Sequence, residues 1–305
     1  MGRAPGQGLA RRGQPDARAS ELPRLRRRPV GDPQRATPGH AGSRELRPPC
    51  HPTGKSGKTP SVTRVSICIA TLNEEATVEG IVQAVSVHGD EVLVVDGHSS
   101  DHTREVAERA GAKVLLDHGL GKGDAIRTAI EAAAGTLLVF FDADGSHNPD
   151  DIPRLLAPLK ANEADMVLGS RTRGGSDELH GDFAKFARMI GSDIITLAIN
   201  YRFNVRLSDS QNGLRAMTAA CARDLDLSED ITTIEQEMVM KALWRGYRLI
   251  EVPTHENRRT HGESRIHLGR VASRYVLSAV RGLLSPGLPS GKEQSQEWGT
   301  VEQRD

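Results

Sequence analysis

Phe140-Phe141-Asp142-Ala143-Asp144 sets two carboxylates one small residue apart at the end of the apolar run 136–141. A run of that length reads as a buried strand, and its C-terminal end opens into the crevice where α/β sheets bind ligands. Two such acids suit a hard divalent cation such as Mg²⁺, which takes one or two carboxylates and completes its shell with water and phosphate oxygens. The same pair also fits a loop carrying two solvated acids, so the chemistry must be judged from its neighbours.

Two further acidic turns follow strand-like runs: Ala70-Thr71-Leu72-Asn73-Glu74-Glu75, and Val95-Asp96-Gly97-His98-Ser99-Ser100-Asp101. In a doubly wound sheet these ends are neighbours, which would let Thr71, Glu74 and Asp96 line one pocket and receive ribose or base donors. Helix capping is the other use of such residues. Gly119-Leu120-Gly121-Lys122-Gly123-Asp124 precedes a helix, where glycines admit an anion to backbone amides and Lys122 adds a charge. A plain glycine-rich turn is the alternative. Asp209 and Glu235 are the candidate general bases for a hydroxyl acceptor; pairing of Asp209 with Arg215, or capping of a helix, would make both structural.

The elements that must position these residues alternate. Strands are expected over 65–70, 91–95, 113–116, 136–141, 166–169 and 247–252, with helices over 75–87, 102–110, 124–134, from Asn148-Pro149-Asp150 to about 161, and over 183–201, 235–245 and 266–284. This alternation predicts an α/β fold with a mostly parallel, Rossmann-like sheet and helices on both faces. In the 183–201 helix, Phe183, Phe186, Ala187, Ile190, Ile194, Leu197 and Ala198 form an apolar face expected to be mostly core. In 266–284, Leu268, Val271, Tyr275, Val276, Ala279 and Leu283 stand opposite Arg270, Arg274 and Arg281. Such a basic amphipathic helix suits either an anionic membrane surface or its own domain.

The net charge of zero hides an asymmetry: positions 1–60 hold thirteen Lys or Arg against four Asp or Glu, leaving the remainder at about −9. Residues 1–61 are Pro- and Gly-rich without apolar periodicity and, like 286–305, are expected to be disordered around one domain at 62–285. Aromatic residues make up 3% of the chain and no basic stripe crosses the body, which argues against nucleic acid. Gly54-Lys55-Ser56-Gly57-Lys58-Thr59 resembles a phosphate loop, but Pro52 stands where its first glycine belongs. Cys50, Cys68 and Cys221 show no metal spacing, and no window is long and apolar enough to span a bilayer. A cytoplasmic protein, able to touch the cytoplasmic membrane face through 266–284, is the expectation; the oligomeric state is not readable.

In order along 62–284, seven segments resemble the inverting family 2 glycosyltransferases, and within them the dolichol- or polyprenyl-phosphate sugar synthases. They are Ala70 to Glu74, Val94 to Thr103, Gly121-Lys122-Gly123, Phe141 to Asp144, Leu168-Gly169-Ser170-Arg171, Asp209 to Ala216, and Glu251-Val252-Pro253 through Arg259 to Arg265. The resemblance implies a GT-A fold, a GDP-mannose or UDP-sugar donor, a polyprenyl phosphate acceptor and a Mg²⁺ or Mn²⁺ ion held by Asp142 and Asp144. It places Asp96 at the base and Thr71 or Glu74 near the ribose, and it puts Asn73, Ser99, Gly121, Lys122, Ala143, Ser264 and Arg265 in the donor-binding set. Arg171, Arg259 and Arg265 would meet phosphate oxygens, and Asp209 occupies the motif where the family carries an acid. A soluble or cell-wall hydroxyl is the alternative acceptor, and a non-catalytic nucleotide-sugar binder the reading from another class. Three departures stand out. Gly97 replaces a second acid after Asp96, Ser146 replaces an amide near the metal pair, and Arg265 replaces a lysine. His147 is expected at the surface, with completion of the metal shell as its other use.

Overall fold

A computed structural model describes residues 63–177, 183–259 and 268–284. The expected tails at 1–61 and 286–305, with Ser264 and Arg265, lie outside these residues.

Seven strands form one sheet: β1 (Val65–Thr71), β2 (Glu91–Asp96), β3 (Lys113–Leu116), β4 (Leu137–Asp142), β5 (Met166–Ser170), β6 (Arg215–Thr218) and β7 (Leu249–Pro253). Their order is β3-β2-β1-β4-β6-β5-β7, and every pairing is parallel except those of β6 with β4 and β5. The sheet is therefore mostly parallel, as the alternation predicts. The central strands read as unbroken apolar runs because helices cover both of their faces.

Alternate residues feed two cores. Ile67, Ile69, Val92, Val94, Val139 and Phe141 face α1 (Val78–Ser86), α2 (Thr103–Arg109) and α4 (Ile152–Lys160). Cys68, Leu93, Val95, Leu138 and Phe140 face α3 (Lys122–Ala132), α7 (Ala219–Asp224) and α8 (Ile234–Trp244). The helices dock through stripes at helical spacing, such as Val78, Ile81, Val82 and Val85 in α1 and Ile152, Leu155, Leu156 and Leu159 in α4. Burying each such side chain contributes roughly 1.5–3 kcal/mol. A single 3₁₀ turn, Pro149–Asp151, leads into α4, and Asn148 caps it by accepting from the Asp150 amide at 3.1 Å. The remaining helices are α5 (Arg171–Gly174), α6 (Phe183–Phe203) and α9 (Leu268–Leu284).

Three expectations are corrected. Neither β6 nor α7 is visible as periodicity, because β6 is only four residues long and opens on a buried arginine, Arg215. α1 starts at Val78 instead of position 75, since the Glu74 carbonyl already accepts the Thr77 and Val78 amides in a turn that follows Asn73 at φ 55°. Finally, where its side chains are described, the apolar face expected of α6 is not core: Ile190, Ile194 and Leu197 are exposed, as is Tyr201 beyond that face. The helix docks instead through Ile195, Thr196, Ile199 and Phe203. It is apolar on two sides, and periodicity does not say which side faces inward.

Candidate active site

The ends of β1, β2 and β4 lie side by side, with Thr71 in register with Asp96 and Ala70 with Asp142. Their loops are stitched together. The Asn73 amide donates to Ser99 Oγ at 2.8 Å, Asn73 Oδ1 accepts from the Ser100 amide at 2.7 Å, and the Glu74 amide donates to Thr103 Oγ1 at 2.8 Å. Asp96 is fully buried, accepting from the Ser99 amide and hydroxyl and, at 3.3 Å, from Thr71 Oγ1. Thr71, Asp96 and Ser99 are thus bonded to one another through their side chains, and Asn73, itself exposed, joins them through its backbone amide. Ala143 is tied in from the loop after β4, its carbonyl accepting Thr77 Oγ1 at 2.6 Å.

The glycine-rich turn packs instead of cradling. The Gly123 amide donates to the Asp230 carbonyl at 2.8 Å, and the His118 amide donates to Asp124 Oδ2 at 2.7 Å. A Cβ on Gly123 would collide with the Glu229 carbonyl, and Gly121 combines φ 126° with close approach to Asp230. These glycines let the 229–230 backbone pass over the start of α3. Lys122, the first residue of that helix, turns its ammonium inward, 2.7 Å from Asp142 Oδ1 and 2.8 Å from Glu235 Oε1. Burial works against the Lys122 charge, but the two carboxylates outweigh it and raise its pKa; Asp142 is held well below the ordinary carboxylate range by Lys122 and His147 despite its own burial.

His147 is buried, not at the surface: its Nε2 sits 3.2 Å from Asp142 Oδ2 and its ring packs edge-on against Phe141. Gly213 leaves room for the Asp142 carboxylate, which a Cβ there would strike. Asp144 stands further out, accepting the Ser146 amide at 3.0 Å and pairing with Arg259 Nε at 3.2 Å. The Ser146 carbonyl accepts the Asn257 amide at 2.8 Å, and His147 forms a bridge to Glu256, so the loop after β4 and the 256–259 segment are braced together.

Arg171 and Asp209 make a bidentate pair, Nε to Oδ2 at 2.6 Å and Nη2 to Oδ1 at 3.0 Å, and Glu256 Oε1 lies 3.3 Å from the same guanidinium. Burial would raise the Asp209 pKa, but Arg171 holds it below the ordinary range, which makes it a weak base. The partner of Asp209 is Arg171, not Arg215; Arg215 is buried and donates to the carbonyls of Glu235, at 2.8 Å, and Asn212. Arg171 in turn is neutralised by two acids instead of standing open to phosphate.

Sequence reasoning missed Asp117, Glu256 and the inward turn of Lys122. Asp117 is buried at the end of β3, accepts the Gly119 amide at 2.8 Å and lies beside His98; burial raises its pKa. The position of Asp117 just past a strand was its one available signal.

The donor set fits a divalent ion on Asp144 completed by phosphate oxygens and water, one carboxylate being enough for Mg²⁺ or Mn²⁺. Asp142 already has Lys122 and His147 on its two oxygens, and no cluster of three His, Cys, Asp or Glu is present among the described residues.

The chain is 34% identical over 197 residues to the glycosyltransferase AglJ of Haloferax volcanii, covering 64% of this chain and 63% of that protein, so it spans less than two thirds of AglJ. It is 27% identical to a dolichyl-phosphate hexose transferase of the same organism, covering 62% of this chain and 81% of that one. Glucosyl-3-phosphoglycerate synthase of Mycobacterium tuberculosis, crystallised with Mn²⁺, UDP-glucose and phosphoglyceric acid, shares the fold at a TM-score of 0.60 and 21% identity, over 74% of this chain and 81% of that one. Residues 66–229 match the profile of Glycosyl transferase family 2, more than half of the sequence, with a GT-A-like sheet beneath them. The chain belongs to glycosyl transferase family 2.

Proposed function

We propose that the protein transfers a hexose, with inversion, from a nucleotide diphosphate sugar to a polyprenyl phosphate. The observation that carries this reading is the pairing of Asp209 with Arg171. A hydroxyl acceptor needs a base to take its proton, and the acid in the family's position is held ionised and weakly basic by a guanidinium. A phosphate monoester is largely ionised at pH 7, with a second pKa of about 6, and can attack without a base. Similarity to the dolichyl-phosphate hexose transferase supports the same acceptor.

In this reading a phosphate oxygen attacks the anomeric carbon from the face opposite the leaving group. The new carbon–oxygen bond forms as the bond to the diphosphate breaks, and the electron pair departs with the nucleoside diphosphate. Asp144 would hold the divalent ion, which would supply positive charge to the diphosphate. Arg259, 3.2 Å from Asp144 in the structure, is placed beside it to donate to a phosphate oxygen. Thr71, Glu74 and Asp96 bound the nucleoside side of the pocket, and Asp142, Lys122 and His147 keep the strand end rigid beneath it.

The test is transfer from labelled GDP-mannose, UDP-glucose and UDP-GlcNAc into organic-extractable polyprenyl phosphate, with Mg²⁺ or Mn²⁺ and with chelator. Chelator-sensitive label in the lipid phase is expected from one donor. Label in the aqueous phase alone, for example on 3-phosphoglycerate, would replace the lipid acceptor with a soluble one, as the name of the mycobacterial structural neighbour suggests for that enzyme.

A further inference from the structure

Two helices far apart in sequence carry a surface that the folded body does not use. On α6, Ile190, Ile194, Leu197 and Tyr201 follow one another at spacings of four, three and four, and all are exposed, Leu197 by 68% and Tyr201 by 91%. On α9, Val276, Leu277, Val280 and Leu284 are exposed as well, Leu284 by 77%. The two helices pack on each other, and Arg202 of α6 fixes the contact: its Nε donates to the Leu283 carbonyl at 3.1 Å while its guanidinium lies over the Trp244 ring, which itself donates to the Gly282 carbonyl at 2.7 Å. Tyr275, Ala279 and Leu283 turn inward, and among the described side chains the outward residues of α9 are the aliphatic four together with Ser273, Arg274 and Arg281.

Charge narrows the occupant. Among the described side chains, α6 and α9 expose Arg202, Arg274 and Arg281 against a single acid, Asp193, within a body whose overall charge is negative. Basic residues gathered around exposed aliphatic side chains, on helices too polar to cross a bilayer, match the interfacial mode of binding to anionic lipid. A second copy of the chain would bring the same positive charges against these. The surface also continues toward the site: Leu197 lines an open cleft of about 320 Å³ with Asp193, Thr196, Asn200, Leu207 and Ser208, and Ser208 precedes Asp209.

We propose that the joint α6–α9 face is a docking surface for an anionic lipid bilayer, with Ile194, Tyr201, Val276, Val280 and Leu284 entering the acyl boundary and Arg274 meeting lipid phosphates. The inference rests on the lipid-acceptor reading above and specifies how the enzyme meets its acceptor.

The experiment is flotation of the full chain with vesicles of equal parts phosphatidylglycerol and phosphatidylcholine, and with phosphatidylcholine alone, in the absence of polyprenyl phosphate and donor. Binding to the anionic vesicles is expected, weakened by salt. The exposed double variants Ile194→Ser/Tyr201→Ser and Val280→Ser/Leu284→Ser should each lower it at least about tenfold, the loss expected when about 1.4 kcal/mol of apolar burial is removed. Arg274→Glu should lower it on anionic vesicles alone. Wild-type protein that stays in the aqueous phase overturns the proposal, as do double variants that float like wild type. A dimer that dissociates in the Val280→Ser/Leu284→Ser variant would also overturn it and assign the face to a second copy. Loss of lipid transfer with flotation intact would remove the lipid-acceptor reading and leave this surface standing; transfer to detergent-dispersed polyprenyl phosphate without flotation would do the reverse.

Discussion

Lys122 and Asp142 lie ammonium to carboxylate at 2.7 Å, and the same ammonium reaches Glu235 at 2.8 Å, so one cation at the start of α3 joins the end of β4 to the start of α8. The second oxygen of Glu235 is buried without a hydrogen-bond partner, which makes that acid dependent on Lys122. Replacing Lys122 with Met should destabilise the protein by about 2 kcal/mol, below the roughly 3–5 kcal/mol of a fully enclosed pair because part of each side chain stays in water. Urea unfolding checks this, and adding Glu235→Gln should restore part of the loss. A Lys122→Met protein as stable as wild type would show that the bridge holds nothing.

Asp144 sits outside this bridge. Asp144→Asn should keep the melting temperature within a few degrees, yet reduce turnover at least about a hundredfold and weaken Mn²⁺ binding read by electron paramagnetic resonance in the presence of nucleoside diphosphate. Normal Mn²⁺ affinity in that variant would move the ion elsewhere.

Gly123 separates packing from phosphate binding. Its Cβ would meet the Glu229 carbonyl, which is backbone and cannot swing away, so Gly123→Ala should lower stability by about 1–3 kcal/mol. If the turn instead cradled the donor, KM would rise in a protein of unchanged stability.

Asp209 provides a pH signature. Its folded pKa is lowered, so its contribution is fully present above the unfolded value near about 3.9 and is lost as pH falls through the folded value beneath it. Wild-type stability should drop steeply below about pH 4. Asp209→Asn should be less stable at neutral pH but show a shallower acid slope. Equal slopes would deny that the pair with Arg171 contributes.

The sheet was legible because its central strands are long apolar runs ending in Asp96 and Asp142, and α1 and α4 because their stripes are clean. What escaped did so for definite reasons. β6 carries a buried arginine where an apolar residue would announce a strand, and α6 offers two apolar sides. At the site, residue types were readable but partners were not: Lys122, Arg171 and His147 all suit phosphate or metal by chemistry, and only the fold shows them committed to Asp142, Asp209 and Glu235. Sequence lists the charges, whereas pairing depends on which strand ends meet.

The antiparallel β6 occupies the slot between β4 and β5 although it is made 45 residues after β5 ends. On the ribosome, β1 to β4 emerge in an order that lets them zip together at once, whereas β5 leaves the exit tunnel with its future neighbours β6 and β7 still unsynthesised. Until residues 215–218 arrive to pair with it, β5 therefore presents an open, apolar edge, and the length of the stretch between the two strands sets how long that edge waits.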